Sequence, residues 1–254
     1  MLNFAMQTTR EAGQILLEKF GKKINISFKG DINLVTEADL ASEFHIIEKI
    51  KSYYPRHSIL AEESGNAVID GESTWKWIID PLDGTTNFAH GYPCFCVTIA
   101  LEHEGKIVIA ATYDPTRDEM FSAEFGQGAN LNNRPIRVSE NDKLANSLIC
   151  TGFPYNFAEK PAFEKHLKDM LLASRGVRRD GSAAIDMAYV ACGRFDGFFE
   201  QGLSPWDVAA GVLFIEEAGG KVSNYDGSKH SIYSPPICAS NGLIHEEMLG
   251  ILSV

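Results

Sequence analysis

The stretch that decides the fold and the chemistry of this chain runs Trp77-Ile78-Ile79-Asp80-Pro81-Leu82-Asp83-Gly84-Thr85-Thr86-Asn87-Phe88. Two carboxylates, Asp80 and Asp83, follow an apolar strand at a point where Pro81 and Gly84 favour a turn. Two anions held this close repel each other unless a cation lies between them. The small and hydroxyl-bearing residues from Gly84 onward can begin a helix whose N–H groups face an anion. The stretch therefore indicates a divalent cation below a phosphate.

A second acidic cluster favours this interpretation over an ordinary surface turn, which uses the same residue types. Glu62 and Glu63 follow another short apolar run, residues 58–61. Two carboxylate clusters at strand ends predict one shared site. Hard cations such as Mg²⁺ take oxygen ligands and often share carboxylates with a substrate phosphate and water. The residue types fit Mg²⁺ and not zinc.

The composition is that of a globular protein with a sizeable core, because 44% of the 254 residues are hydrophobic. The net charge of −11, from 23 basic and 34 acidic residues, argues against broad binding of nucleic acid or of an anionic membrane surface. Residues 1–20 lack the pattern of a secretory signal, and no run approaches the roughly 18 apolar residues of a membrane span. We therefore expect a cytoplasmic protein.

The sequence carries few marks of other chemistries. Its five cysteines lie in apolar stretches without a Cys-x-x-Cys pair, which predicts reduced core residues. It contains no Gly-x-Ser-x-Gly elbow, no Gly-x-x-x-x-Gly-Lys phosphate loop and no His-Glu-x-x-His zinc helix. His90 and His103 have no partner at ligand spacing, so we expect surface or loop positions for both. Metal-assisted hydrolysis is the best supported class of reaction.

The hydrophobic periodicity predicts two halves. In the first half it predicts helices over 2–20 and 36–54, then an antiparallel meander of strands over 58–61, 75–79, 94–102, 106–113 and 119–124. In the second half strands and helices alternate, with strands over 147–151, at 177, over 195–200 and over 221–223, and helices over 158–173, 182–193 and 205–218. Such alternation is typical of an α/β arrangement. We place the halves at 1–140 and 141–254.

Two further acids lie in the first turns of predicted helices. Thr36 is placed to cap the helix over 36–54, and Asp39 complements its dipole, which explains an acid there without any other function. Asp207 follows Pro205 at the start of a later helix. It either complements the dipole there or projects into a cleft as a ligand, and the spacing does not decide between these roles.

Several motifs together closely resemble the inositol monophosphatase family of magnesium-dependent, lithium-sensitive sugar phosphatases. They are Leu34-Val35-Thr36-Glu37-Ala38-Asp39, Glu62-Glu63-Ser64, Asp80 to Phe88, Arg179-Asp180-Gly181-Ser182-Ala183-Ala184 and Ser204-Pro205-Trp206-Asp207-Val208-Ala209-Ala210-Gly211. The resemblance implies a layered αβαβα sandwich of the sugar-phosphatase type, with an α+β first half and an α/β second half. It further implies a site between the halves and a homodimer as the usual assembly.

By the same resemblance, two to three Mg²⁺ ions bind in each active site. One ion would be held by Glu62, Asp80 and the Leu82 carbonyl. A second would be held by Asp80, Asp83 and Asp207, and a third loosely near Glu62. Asp80 would therefore bridge the first two ions.

The resemblance also implies catalytic and substrate-binding residues. Thr85 and Asp39 would orient a metal-bound water for attack on phosphorus, and Glu62 belongs with them as a catalytic residue. The N–H groups of Gly84 and Thr85 would hold phosphate oxygens. The remaining substrate contacts would come from Asp83, Ala183, Glu200 and Asp207, with Lys29 near the site as a positive group.

Two features bear on the third metal site and on the choice of substrate. Asn33 stands where family members commonly carry Asp, which predicts a weaker third metal site. The Thr86-Asn87-Phe88 run most resembles the branch that hydrolyses inositol phosphates. We therefore expect hydrolysis of inositol 1-phosphate and of related sugar phosphates.

Two alternatives stay open. Fructose 1,6-bisphosphatase activity would need positive charge for the distal phosphate, which Arg178 and Arg179 could provide, although a charged pair in a short loop is usually exposed. Bacterial relatives that resemble the chain through Thr151-Gly152-Phe153-Pro154 can act as regulatory partners of the transcription machinery. Neither alternative requires a change in the predicted fold.

Overall fold

The fold is taken from a computed structural model, which describes residues 1–22, 26–29, 33–67, 73–153, 162–234 and 236–253. The helices in these ranges are α1 (Leu2–Lys19), α2 (Glu37–Tyr53), α3 (Thr85–Ala89), α4 (Ala162–Ala173), α5 (Ala183–Ala191), α6 (Pro205–Glu217) and α7 (His245–Leu252), with a 3₁₀ turn at Leu144–Asn146. The strands of the first half are β1 (Ile26–Lys29), β2 (Asn33–Thr36), β3 (Ser58–Ala61), β4 (Gly65–Ala67), β5 (Trp75–Asp83), β6 (Cys96–His103), β7 (Lys106–Asp114), β8 (Glu119–Glu124), β9 (Ala129–Leu131) and β10 (Arg134–Pro135). Those of the second half are β11 (Leu148–Thr151), β12 (Gly176–Arg178), β13 (Gly197–Glu200), β14 (Lys221–Ser223) and β15 (Ile237–Ser240).

The elements form five layers, as the resemblance implies. An eight-stranded sheet has the order β10-β9-β8-β7-β6-β5-β3-β4, and a five-stranded sheet has the order β12-β11-β13-β15-β14. Helices α1 and α2 pack on the outer face of the first sheet. Helices α5 and α6 fill the space between the sheets, and α4 and α7 cover the outer face of the second. The layered αβαβα architecture is therefore confirmed.

Central strands of both sheets are buried on two faces, and alternating side chains supply different cores. On β5, Trp77 and Ile79 pack with α1 and α2, whereas Ile78 packs with the helices between the sheets. On β13, Phe198 faces that same middle layer and Phe199 faces α4 and α7. This alternation fixes the register of the strands that carry the candidate site.

The antiparallel meander is confirmed only in part. Strands β5, β6, β7 and β8 pair antiparallel in sequence order. The prediction is wrong for β3, which pairs parallel to β5 with Ile59 opposite Trp77. A short apolar run fits either direction equally well, because the direction depends on the connection between the strands. As a result, the carboxyl ends of β3 and β5 lie at the same edge of the sheet.

The decisive stretch continues β5 further than the sequence suggests. The strand was expected to end at residue 79, but it runs to Asp83 with a register shift between Asp80 and Asp83. Pro81 lies inside this irregularity, where a missing N–H is tolerated. The chain turns at Gly84, whose φ is +97° and whose added Cβ would lie 2.8 Å from the Cys94 carbonyl oxygen. Only glycine fits that position without displacing backbone.

The second half alternates as predicted but adds elements that the pattern did not indicate. Strands β12 and β13 flank β11 in parallel, whereas β15 pairs antiparallel with β13 and β14. Neither β15 nor α7 was predicted from the sequence. The fourth helix is described from Ala162 onward, and residues 158–161 of its predicted range lie outside the described residues. The division at residue 140 stays a prediction.

The structure also bears on the cysteines and on the search for membrane-spanning segments. The five cysteines are free, and all but Cys192 are buried. Burial raises the pKa of the Cys94 thiol to about 12, so this group is an uncharged core residue. Within the described ranges, no helix has the length and apolarity needed to cross a bilayer.

Candidate metal and substrate site

Three carboxylates meet at one end of the middle layer. Asp80 and Asp83 come from the end of β5, and Asp207 comes from the first turn of α6. Each offers one oxygen to a group whose atoms all lie within 4.8 Å of one another. The structure thus brings together the acids that the sequence placed far apart along the chain.

The electrostatics of this group favour a cation. Asp80 is 1% exposed, and its pKa is raised by burial and then by the negative charges of Glu62, Asp83 and Asp207. Burial, followed by the charge of Asp83, raises the pKa of Asp207 to about 7. Buried carboxylates shift in this way when like charges surround them without a counter-charge. A positive ion among them would relieve the repulsion.

Hydrogen bonds hold each of the three carboxylates in place. Asp83 Oδ2 accepts from the Ser182 hydroxyl at 2.6 Å and from the Ala184 N–H at 2.8 Å, across the two halves. Asp207 Oδ2 accepts from the Ser204 N–H at 2.7 Å, and Asp80 Oδ1 accepts from the Leu82 N–H at 3.0 Å. Asp207 therefore caps α6 and also faces the acid group, and its role as a metal ligand stays a prediction.

The donor chemistry fits a hard divalent cation. The three clustered ligand atoms are all carboxylate oxygens, which suit Mg²⁺. Glu62, directly after β3, is not one of the three, but it lines the same cleft. The buried Glu43 on α2 accepts the Glu63 N–H at 2.9 Å and so fixes the backbone next to Glu62. The parallel pairing of β3 and β5 places Glu62 at the same edge of the sheet as Asp80 and Asp83.

Asp39 and Thr85 lie beside the acid group. Asp39 is fully buried, and its Oδ2 accepts from the Thr36 N–H at 2.8 Å and from the Thr36 hydroxyl at 2.6 Å. Its other oxygen, Oδ1, lies 3.1 Å from the Thr85 hydroxyl oxygen, which is also 3.0 Å from the Leu82 carbonyl oxygen. Burial raises the pKa of Asp39, against the lowering effect of the bonds from Thr36. The predicted cap is thus present, and the same carboxylate contacts Thr85, which lines the cleft.

A cleft extends from the acid group between the two halves. Its larger part is open to solvent and has a cavity volume of about 270 Å³, and Gly84 and Thr85 line it on the side of β5. An adjoining part is lined by Ala183 at the start of α5 and by Glu200 at the end of β13. The structure therefore gathers the predicted substrate-binding residues around one cleft.

Glu200 stands at the junction of these two parts. Burial, followed by the charges of Asp207 and Asp83, raises the pKa of Glu200 to about 8. Its carboxylate packs directly over Gly152, where an added Cβ would lie 2.2 Å from both carboxylate oxygens. Any larger residue at position 152 would therefore displace the Glu200 carboxylate.

The two arginines have different positions. Arg178 is exposed, as expected for a charged pair in a short loop. Arg179 lines both parts of the cleft, and its guanidinium carbon lies 5.0 Å from the centre of the Phe153 ring. Arg179 is exposed as well, so the expectation of an exposed pair is confirmed for both arginines, and Arg179 in addition lines the cleft.

The remaining predicted residues lie outside the cleft or outside the described residues. His90 is exposed after α3, as expected. His103 is instead the half-buried last residue of β6, where it stacks on Trp75 with 3.7 Å between ring centroids. The backbones of Lys29 and Asn33 pair in the β1–β2 hairpin, but their side chains and Pro154 lie outside the described residues. Sequence reasoning missed the cleft residues Phe153, Asp186, Gln201 and Leu203, for which no local pattern gave a signal.

Comparisons with known proteins agree with this architecture. A model described as the inositol monophosphatase family matches residues 1–253. An inositol-1-monophosphatase of Mesorhizobium japonicum is 42% identical over 98% of this chain and 94% of its own, and a Nus factor SuhB of Pseudomonas aeruginosa is 41% identical over 95% and 91%. A crystal structure of the extragenic suppressor protein suhB from Bartonella henselae has a TM-score of 0.94 at 40% identity, covering 98% of this chain and 97% of that one.

Proposed function

Because this chain belongs to the inositol monophosphatase family, we propose that it is a Mg²⁺-dependent phosphomonoesterase that converts inositol 1-phosphate and water to inositol and phosphate. The family and the relatives indicate a phosphatase of this type, and the substrate and the metal are the proposal. One observation supports it most: the acid group of Asp80, Asp83 and Asp207 shares its cleft with Thr85, whose hydroxyl is bonded to Asp39.

In the proposed enzyme, Glu62, Asp80 and the Leu82 carbonyl hold one ion, and Asp80, Asp83 and Asp207 hold a second. A third ion binds weakly near Glu62. When bound, Mg²⁺ supplies a Lewis acid that lowers the pKa of water and offsets charge on the phosphoryl oxygens. The carboxylates that crowd one another without a cation are those that the proposal uses as ligands.

Thr85 and Asp39 act on the attacking water in this proposal. Asp39 Oδ1 accepts the hydroxyl hydrogen of Thr85, which leaves the lone pairs of Thr85 Oγ1 free to accept a hydrogen from water. Because Thr36 holds the other oxygen of Asp39, the carboxylate cannot turn away. The water oxygen gives up a proton towards Thr85 and Asp39 and forms a new bond to phosphorus as the ester P–O bond breaks. The leaving alkoxide takes up a proton from a second water, so no net proton is gained or lost in forming the alcohol and phosphate.

The two sides of the cleft serve different parts of the substrate. The N–H groups of Gly84 and Thr85 are proposed donors to phosphate oxygens, together with the metal site. On the opposite side, Ala183 and Glu200 are proposed contacts to the hydroxyls of the alcohol, with Asp83 and Asp207 between the two. A buried carboxyl such as Glu200 binds hydroxyl groups with directional hydrogen bonds.

A panel of phosphate esters tests the substrate. Purified protein with Mg²⁺ is assayed for phosphate release from inositol 1-phosphate, fructose 1,6-bisphosphate, histidinol phosphate and adenosine 3′,5′-bisphosphate. We expect the highest kcat/KM for inositol 1-phosphate. A higher value for fructose 1,6-bisphosphate would favour the alternative activity, for which Arg179 in the cleft is the available positive group.

A second function is favoured by the name of a relative. The Pseudomonas aeruginosa protein named Nus factor SuhB is 41% identical to this chain, so we also propose a regulatory contact with the transcription machinery. Retention of every cellular role by an inactive Asp83→Asn variant would support that function. A pull-down from cells that recovers no polymerase-associated protein would argue against it. A homodimer and a cytoplasmic location complete the proposal.

A further inference from the structure

Asn87 joins the metal-binding stretch of the first half to the second half. It lies on α3 and its side chain is buried. Its Nδ2 donates to the carbonyl oxygens of Cys94 at 2.7 Å and Asp180 at 2.8 Å, with a longer contact of 3.3 Å to Gly181. An amide NH₂ has two hydrogens, so the third contact shares one of them. One side chain therefore connects α3 both to residue 94, just before β6, and to the segment before α5.

That segment, residues 179–184, forms one wall of the cleft. Its members Arg179, Gly181 and Ala183 all line the cleft. The segment is held to the first half at a second point, because Asp83 Oδ2 accepts from Ser182 and Ala184. Two side chains four residues apart, Asp83 and Asn87, thus fix the wall against the acid group.

The packing at Asn87 leaves little room for movement. Gly181 has a φ of +87°, and an added Cβ there would lie 3.0 Å from Asn87 Nδ2 and 3.1 Å from its Oδ1. A side chain at position 181 would therefore crowd the Asn87 amide, and its positive φ would be strained. A shift of residues 180 and 181 would carry the neighbouring Ala183 with it.

The two side chains that tether the wall, Asp83 and Asn87, differ in chemistry. Asp83 is charged and is one of the acids proposed to bind metal, whereas Asn87 makes neutral amide-to-carbonyl bonds. The Asn87 tether therefore does not depend on metal occupancy. We propose that Asn87 is a positioning residue that sets the distance between the metal carboxylates and the wall receiving the alcohol, and so contributes to selecting the alcohol part of the substrate. This inference rests on the proposed phosphatase function.

Kinetics of Asn87→Ala test the role. We expect the KM for inositol 1-phosphate to rise about tenfold while kcat changes by less than about threefold, because the metal site itself is unaltered. The inhibition constant of inorganic phosphate, which has no alcohol part, should stay at the wild-type value. A purely structural role would instead lower the melting temperature and the active fraction without separating these two constants.

Asn241→Ala is a matched control. Asn241 is also buried, and its Nδ2 donates to the Asn141 carbonyl at 2.7 Å and to Ser139 at 3.0 Å, away from the cleft. We expect this variant to lose stability and to keep both constants. The inference is overturned if Asn87→Ala behaves like Asn241→Ala, or if it raises the KM and the inhibition constant by the same factor.

A crystal structure separates failure of this inference from failure of the proposed function. If the wild type releases phosphate from no ester, the phosphatase proposal fails whatever Asn87 does. The structure of Asn87→Ala should then still show Gly181 and Ala183 displaced relative to Asp83. An unmoved wall in that structure would overturn the positioning role.

Discussion

Asp39 and Thr85 are joined by a hydrogen bond of 3.1 Å that uses the carboxylate oxygen left free by a helix cap. The other oxygen of Asp39 accepts both the N–H and the hydroxyl of Thr36. One carboxylate therefore begins α2 and orients a hydroxyl beside the acid group. Helix capping and the proposed catalysis are two uses of the same side chain.

Removing the Thr85 hydroxyl should slow the reaction with little change in the fold. For Thr85→Ala we expect kcat to fall by about 10²-fold or more, as for other losses of a group that orients or accepts a proton. Thr85→Ser keeps the hydroxyl and should retain most of the activity. Equal losses in the two variants, measured by phosphate release, would contradict the role of the hydroxyl.

Neutralising Asp80 should stabilise the metal-free protein. The pKa of Asp80 is raised by burial and by three neighbouring acids, so its charge is unfavourable without a cation. We expect Asp80→Asn to melt at a higher temperature than the wild type in chelator. Mg²⁺ at 100 times its Kd should stabilise the wild type by about 2.7 kcal/mol and the variant by much less.

Thermal melts of Asp169→Asn give the control for that comparison. Asp169 lies on α4 and pairs with Lys165, far along the chain from the acid group. Its replacement should leave the response to Mg²⁺ unchanged. If Mg²⁺ did not change the melting temperature of the wild type, metal binding by Asp80, Asp83 and Asp207 would be contradicted.

Gly152→Ala should weaken substrate binding through Glu200. The new methyl group would lie 2.2 Å from the carboxylate oxygens of Glu200, which must move. We expect the KM for inositol 1-phosphate to rise by about tenfold or more. Gly250→Ala, whose Cβ meets nothing within 4 Å, is the matched control and should leave the KM unchanged. Unaltered kinetics of Gly152→Ala would show that Glu200 does not need its present position.

Protonation of the buried His245 should lower the stability of the protein in mild acid. It lies between the hydroxyls of Ser223 and Ser240, each 2.9 Å away, and burial lowers its pKa to about 4. Since the folded state favours the neutral ring, this stabilisation is complete above pH 6.5 and is lost as the pH falls towards 4.

Urea unfolding at pH 7, 5.5 and 4.5 measures this effect. The free energy of unfolding should fall less steeply over this range in His245→Gln than in the wild type. The same replacement of the exposed His90 should not change the slope. Parallel slopes for the wild type and His245→Gln would contradict the assignment.

Local sequence chemistry was enough to predict much of the site. Asp80 and Asp83 are only three positions apart in the chain, so their closeness follows from the strand and turn alone. Thr36 and Asp39 form a capping box within four residues, and the structure contains it. These features depend on short-range geometry, which sequence patterns record well.

Long-range placement was harder to predict from the residues themselves. Nothing near Asp207 indicates that α6 begins beside β5, and its motif identified it only through the family resemblance. The direction of β3 was mispredicted because a short apolar run carries no sign of its pairing. The contact of Asn87 with Asp180 joins residues 93 positions apart in the chain. Such relationships follow from packing of whole layers.

The most direct test of the proposed chemistry is phosphate release from inositol 1-phosphate by the wild type and by Asp83→Asn, each with Mg²⁺ and with excess chelator. The proposal predicts rapid release by the wild type with Mg²⁺ and release near background in the other three conditions. Undiminished release by the wild type in chelator, or by Asp83→Asn with Mg²⁺, would contradict it.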